Sequence, residues 1–514
     1  MLLQLDGRSL TVRDVLAVAE KRCTVALAPE ARERMLATRT VVDRAVAAGV
    51  PVYGINTGFG KMSEITIPND QLDALQRNLV RSHAAGVGDP LPEREVRAMM
   101  LLRANVLATG YAGARAEVVD ALIAMLNAGV WPLVPEQGSV GASGDLAPLA
   151  HLALTLIGEG HAFYNGTLMD SAHALKLAGL TPVTLAAKEG LALINGTQAH
   201  TAVASLAIAE LRRLWSVAHV ATAMSLEALL GTPDAFDARI QEARGQAGQR
   251  RSAAMLRALL ANSQLRESHR YGDPRVQDAY ALRCVPQVHG PALETLEFAQ
   301  TIIERELNAA TDNPLVMASG ELLSGGNFHG QAVGMVSDFL AIVSANLAVI
   351  SERRTDRLVH PDFNQGLPPF LAGSPGLESG FMMSQVTAAA LASENKTLAH
   401  PASVDSIPTD GNKEDVVPMA MAAAVKLRRS VRNLRHVLSI ELIAAAEGLE
   451  HRRPLRSSAP VESAHALVRT VVVKQSGDRA PSPDIIRLAD ELAAGLLEPV
   501  TDAFSDTVTD EVSV

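Results

Sequence analysis

Cysteine is nearly missing: in 514 residues only Cys23 and Cys284 occur, far apart and outside any CxxC or Cys/His cluster. That excludes a disulfide scaffold and a structural zinc, so no metal site is expected and a reducing, cytoplasmic setting is. Aromatic residues make up only 3% of the chain, which removes many of the bulky side chains that strands favour. No uncharged apolar run reaches the length of a membrane span, and Asp6 interrupts the N-terminus too early for a signal peptide. Positive charge is not in excess either. A formal net charge of -10 gives no broad attraction to nucleic acid or to an anionic membrane. The expectation is a soluble, unprocessed protein whose partner is a small molecule.

What is present in quantity is Ala and Leu, in a chain that is 48% hydrophobic and 20% charged. This mixture favours helix and suffices for a large core, so the fold is predicted to be mainly α. Residues 201–230, 291–308 with their flanks, and 418–448 read as unusually long helices. The first and last of these lack an internal Pro and would each be about 45 Å long. Such helices must pack side by side in a bundle. Residues 339–350 are apolar nearly all round, the mark of a helix in the middle of one. Residues 1–110 differ, with shorter segments and a strand-like stretch at 51–55, and are expected to form a smaller mixed N-terminal domain beside a long-helix body at 111–514. Segments rich in Gly and Pro at 134–144, 325–330 and 360–380 interrupt that body, and breaks of this kind on rigid scaffolds are where functional residues gather. Residues 505–514 read as a frayed tail.

The most informative stretch is 138–151, GSVGASGDLAPLAH, a small-residue loop running into a helix with Asp145 as a plausible N-cap and Pro148 tolerated in the first turn. A tight bend would let the amide nitrogen of Gly144 attack the carbonyl carbon of Ala142, since neither residue carries obstructing bulk. Loss of one water closes a five-membered ring. Loss of a second, from Ser143, leaves a conjugated methylidene carbon, giving 4-methylidene-imidazole-5-one, an electrophile needing no external cofactor. Ala-Ser-Gly alone is common in loops and proves nothing. Rival motifs fail: Gly60-Lys61 lacks the phosphate-loop glycine at the right distance, Ser143 lacks the final Gly of GxSxG, and no HExxH occurs.

The full stretch resembles the aromatic amino-acid lyase family, which contains the ammonia-lyases for histidine, phenylalanine and tyrosine and the related aminomutases. YGINTGFGK from Tyr53, SHAAGVG from Ser82, NGTQA from Asn195, QDAYALRCVPQV from Gln277, TDNPLV from Thr311, SGGNFHG from Ser324 and LPPFL from Leu367 follow in the family's order. The resemblance implies a fumarase/aspartase-like helical architecture and a homotetramer whose sites combine loops of different subunits. It assigns proton abstraction to Tyr53, the carboxylate clamp to Arg283, and the loop over the reacting carbons to Tyr280 and Gln277. It further implies that Asn195 and Asn313 hydrogen-bond the ring oxygen and the substrate, and that Phe328 packs on the substrate ring. In isolation each of these would pass as an ordinary turn, surface or core residue.

His83 and Glu414 match positions where histidine enzymes contact the imidazole, so L-histidine is the expected substrate and trans-urocanate the expected product. Around them the chain departs from that pattern, with Lys413 for a Gln, Val416, Val417 and Pro418 for His, Val and Ser, and LPPFL closer to the tyrosine enzymes. A tyrosine or phenylalanine ammonia-lyase or a 2,3-aminomutase therefore stays open, as does an inactive scaffold. The scaffold reading should show a broken electrophile or a missing base, whereas Tyr53, Ala142, Ser143, Gly144 and Arg283 are all present.

Overall fold

The computed structural model describes residues 2–504, so the expected frayed tail lies outside the described residues. Among the described residues there are twenty α-helices, against strands of two to four residues. The mainly α expectation is met. Eight helices carry the argument: α1 (Leu72–His83), α2 (Glu93–Ala108), α3 (Leu146–Leu156), α4 (Glu189–Ile194), α5 (Gln198–Ala228), α6 (Val285–Leu307), α7 (Gln331–Val359) and α8 (Ala420–Glu450). The three expected long helices appear as α5, α6 and α8, and α6 keeps Pro291 inside it.

The chain forms two compact units, the first taking the residues up to Ala209 with Ala299–Asp338 and Pro401–Arg428, the second Glu210–Phe298, Phe339–His400 and the residues from Arg429. Segment 1–110 lies wholly in the first unit, where α2, buried along almost its whole length, packs on the helix Ala116–Ala128 across residue 110. The small sheets also belong to the first unit, and the last pairs Leu315–Val316 with Leu322–Leu323, so strand is not confined to the first 110 residues.

Two expectations need correction. Residues 51–52 are irregular and 53–55 form a turn, because the Asn56 side chain satisfies the backbone locally: its Oδ1 accepts from the Val52 N–H at 2.8 Å and its Nδ2 donates to the Val50 carbonyl at 3.1 Å. A backbone so occupied has little left for a ladder. The helix through 339–350 is not buried all round, since Phe339, Ile342 and Val349 are 38%, 40% and 48% exposed. Their three- and four-residue multiples of spacing put them on one stripe of α7. By length and composition α7 could also cross a membrane, yet 67% of its apolar stretch is buried inside the protein, as in a core helix.

In the first unit α1, α3 and α4 pack against one another. α1 ends at His83, α3 begins after Gly144 and Asp145, and α4 is capped by Asn195. Three helix ends thus carry three of the expected site residues. In the second unit the Arg354 guanidinium on α7 grips Glu441 on α8, donating from Nη2 to Oε2 at 2.8 Å and from Nε to Oε1 at 2.5 Å. Ser225 on α5 and Ser351 on α7 add hydroxyl bonds to the same carboxylate at 2.7 and 2.6 Å, and both charged groups are wholly buried. Removing one partner leaves an uncompensated buried charge. Glu441→Ala is expected to cost about 3–5 kcal/mol, read as a lower urea midpoint, and an unchanged midpoint would refute this account of the knot.

Candidate active site

Ser143 sits where the chain turns into α3. Gly144 has φ +70°, and a Cβ added to it would overlap the Gly196 carbonyl, so only glycine fits this close approach. The turn is tied by the Asp145 N–H donating to the Gly196 carbonyl at 2.7 Å and by the Gly141 N–H donating to Ser139 Oγ at 3.1 Å. Asp145 occupies the N-cap position but caps nothing with its side chain. Its carboxylate instead accepts from Ser139 Oγ at 2.7 Å and from the His200 backbone N–H at 2.9 Å, and lies 2.8 Å from His200 Nδ1. Burial pushes this carboxyl up, but the His200 ring and the hydrogen bonds outweigh it and hold the group below its ordinary range.

Asn195 Nδ2 donates to the Ser143 carbonyl oxygen at 2.8 Å, while its own Oδ1 is buried without a partner. An orphaned buried acceptor beside a small-residue turn is costly unless a ligand donor meets it. Behind it Arg103, wholly buried, donates to the carbonyls of Ala192 at 2.7 Å and Asn195 at 2.9 Å and to the Gln198 side chain. This holds the end of α4, and burial lowers the Arg103 pKa to about 10. The Ser143 hydroxyl donates to Glu414 Oε1, and Thr409 donates to the other oxygen of the same carboxylate.

Ser143, Asn195 and Glu414 line a cavity of about 500 Å³ together with Tyr53, His83 and Asp410 and the apolar side chains of Met62, Ile67 and Leu146. Tyr53 is half-buried. Burial raises its pKa above the ordinary phenol value, a hydrogen bond from the Gly60 N–H lowers it, and the charges of Asp410, Asp312 and Glu414 raise it again. His83 Nδ1 lies 2.8 Å from the Leu79 carbonyl and 3.0 Å from Ser82 Oγ. A carbonyl only accepts, so in the neutral ring Nδ1 carries the proton and Nε2 is left as the acceptor.

The structure therefore brings Tyr53, His83, Ala142, Ser143, Gly144, Asn195 and Glu414 into one locality. Asn313 and Phe328 are not among the residues lining the cavity: Asn313 Oδ1 accepts from the Gly325 N–H at 2.8 Å and from Ser324 Oγ at 3.2 Å, tying down the glycine-rich loop, and Phe328 is half-buried on that loop. Gln277, Tyr280 and Arg283 belong to the second unit. There Tyr280 and Arg283 share a single helical turn, Tyr280 is 71% exposed, and the guanidinium stacks over its ring at 4.7 Å. Sequence reasoning missed His200, Arg103, Thr409, Asp410 and the buried pair of Lys188 with Asp312 at 2.6 Å. Arg103, Lys188 and His200 are signalled only by a polar group in an otherwise apolar stretch, and Asp312, Thr409 and Asp410 sit in polar loop segments where nothing sets them apart from surface residues.

A model of the aromatic amino acid lyase family matches residues 10–470. A histidine ammonia-lyase of Anaeromyxobacter sp. (strain K) is 54% identical over 505 residues, covering 96% of this chain and 99% of the relative. Among solved structures, the histidine ammonia-lyase from Trypanosoma cruzi superposes with a TM-score of 0.92 at 43% identity, covering 99% of this chain and 97% of that one. The tyrosine aminomutase from Streptomyces globisporus superposes with a TM-score of 0.93 at 36% identity, covering 98% and 99%.

Proposed function

Since the chain belongs to the aromatic amino acid lyase family and is a carbon–nitrogen lyase, we propose that it eliminates ammonia from L-histidine to give trans-urocanate. The observation that carries the reading is the set His83, Glu414, Asn195 and Tyr53 around Ser143 in one cavity. The electrophile would be 4-methylidene-imidazole-5-one closed from Ala142, Ser143 and Gly144, and once formed it supplies a carbon that takes up the substrate nitrogen and improves it as a leaving group. The residues fit that group. Gly144 permits the tight bend, and Asn195 Nδ2 already holds the Ser143 carbonyl oxygen, which is the oxygen a closed ring retains. Dehydration of Ser143 would also remove the hydroxyl that engages Glu414 Oε1, freeing a carboxylate oxygen for the substrate.

In this reading the Tyr53 phenolate takes the β-proton, and the unpartnered Asn195 Oδ1 meets a donor on the substrate. His83 Nε2 accepts from one imidazole N–H and Glu414 sits on the same cavity wall. Arg283 would grip the α-carboxylate through its planar fork, with Tyr280 and Gln277 beside it, Asn313 ordering the glycine-rich loop and Phe328 against the substrate. We further infer a homotetramer in a reducing cytoplasm, with sites completed by neighbouring subunits. Support comes from the exposed apolar stripe of Phe339, Ile342 and Val349 near Phe298, itself 53% exposed, and from the two free cysteines.

The experiment is product analysis after incubation with histidine, tyrosine and phenylalanine. Histidine is expected to be consumed with a clearly higher kcat/KM, and His83→Leu is expected to narrow that preference by about 10- to 100-fold, because it removes a hydrogen-bond partner from a polar ring. Efficient deamination of tyrosine with histidine left untouched would overturn the substrate. A β-amino acid product would favour the second reading, an aminomutase, to which LPPFL and the likeness to the tyrosine aminomutase lend weight.

A further inference from the structure

The turn 409–414 carries two carboxylates on the cavity wall, and only Glu414 has a role so far. The other, Asp410, stands at the tip of a turn closed by the Asn412 N–H donating to the Thr409 carbonyl at 3.0 Å and the Lys413 N–H donating to the Asp410 carbonyl at 3.1 Å. Asp410, Gly411 and Asn412 have φ of +47°, +58° and +66° in succession. A left-handed aspartate is strained backbone, kept only where surrounding contacts hold it. What it reaches is the loop after Tyr53. Asp410 Oδ1 accepts from the Lys61 N–H at 3.3 Å, and a Cβ added to Gly60 would overlap the same carboxylate. Tyr53, Gly60 and Asp410 line the same cavity.

We propose that Asp410 is a positioning residue for Tyr53, bracing the loop after Tyr53 through the Lys61 N–H so that the neighbouring Gly60 N–H is held toward the phenol, while its own negative charge faces the cavity that Tyr53 lines. The two effects oppose each other: the braced N–H favours the phenolate, and the Asp410 charge disfavours it. The other groups facing Tyr53 are Glu414 on the same turn and Asp312, which is paired with Lys188, while His83 of α1 lines the same cavity and the Lys61 stem lies against Gly411.

Asn is the variant that separates the two effects. It tolerates the left-handed conformation, keeps an oxygen to accept from the Lys61 N–H, and has no charge. Asp410→Asn is expected to move the acidic limb of the kcat/KM–pH profile to lower pH and to raise turnover at neutral pH. Asp410→Ala, which also loses the brace, is expected to lose up to about 10²-fold in kcat. The inference rests on Tyr53 being the base, so a second readout is independent of turnover: ultraviolet difference titration of tyrosinate, with Tyr53→Phe as the blank. In D410N the Tyr53 transition should fall to lower pH. If the limb and the titration both stay put while Tyr53→Phe is inactive, the inference is overturned. If Tyr53→Phe turns over normally, the base assignment falls, and the titration still decides whether Asp410 and Tyr53 are coupled.

Discussion

Ser143→Ala is expected to yield a folded protein that fails to lose the full mass of two water molecules at residues 142–144 and whose kcat drops by at least ~10³-fold, the scale of removing a covalent catalytic group. Both parts follow from the same atom. The second dehydration takes the Ser143 hydroxyl, and alanine has none to give, so no methylidene carbon can form. The fold should survive because the turn is held without that hydroxyl, through the Asp145 N–H on Gly196, the Asp145 carboxylate on Ser139 and His200, and Asn195 on the Ser143 carbonyl. What the mutation does disturb is Glu414, which loses the Ser143 donor and keeps Thr409. Intact-protein mass spectrometry of the wild type and S143A is the measurement. A wild type at full mass with full activity would dismiss the ring and require another electrophile.

Tyr53→Phe is expected to keep the fold and the mass loss while kcat falls by about 10²- to 10⁴-fold, the usual contribution of a positioned general base. Phenylalanine retains the half-buried ring and removes only the phenol oxygen. The pH dependence of the wild type carries the same assignment. Burial raises the Tyr53 pKa above its ordinary value, so near neutrality the neutral phenol dominates and the phenolate fraction rises with pH. kcat/KM should therefore climb through the neutral and mildly alkaline range, about tenfold per unit where Tyr53 alone controls it. In Tyr53→Phe that limb should disappear from the residual activity. A flat wild-type profile, or Tyr53→Phe with normal turnover, would move the base elsewhere.

The sequence by itself determined what is covalently local. Ring closure at Ala142, Ser143 and Gly144 involves consecutive residues and depends on small side chains, so three letters and their neighbours are enough to raise it. Helices α5, α6 and α8 were legible because burial along a helix repeats every three or four residues and long Ala- and Leu-rich stretches write that repeat plainly. Their neighbour α7 was legible as a helix but not as to which face is covered, since an apolar side chain reads the same whether it meets the core or solvent. Segment 51–55 misled for a related reason: Asn56 diverts the backbone bonds, and nothing in a run of β-favouring residues announces that.

What only the tertiary structure decided is which polar groups meet. Glu414 engages the Ser143 hydroxyl across 271 residues of chain, and Asp410 reaches the Lys61 amide across 349. Asp145 looks like a helix cap in sequence and is one by position, yet its carboxylate turns to the Ser139 hydroxyl and the His200 backbone N–H, because the third residue of the helix is Pro148, which has no N–H to offer a cap. Such contacts join loops and helix ends that have no periodicity to betray them. A buried charge is stabilised by partners brought from elsewhere in the chain, and that pairing is fixed by packing, not by any neighbour in the sequence.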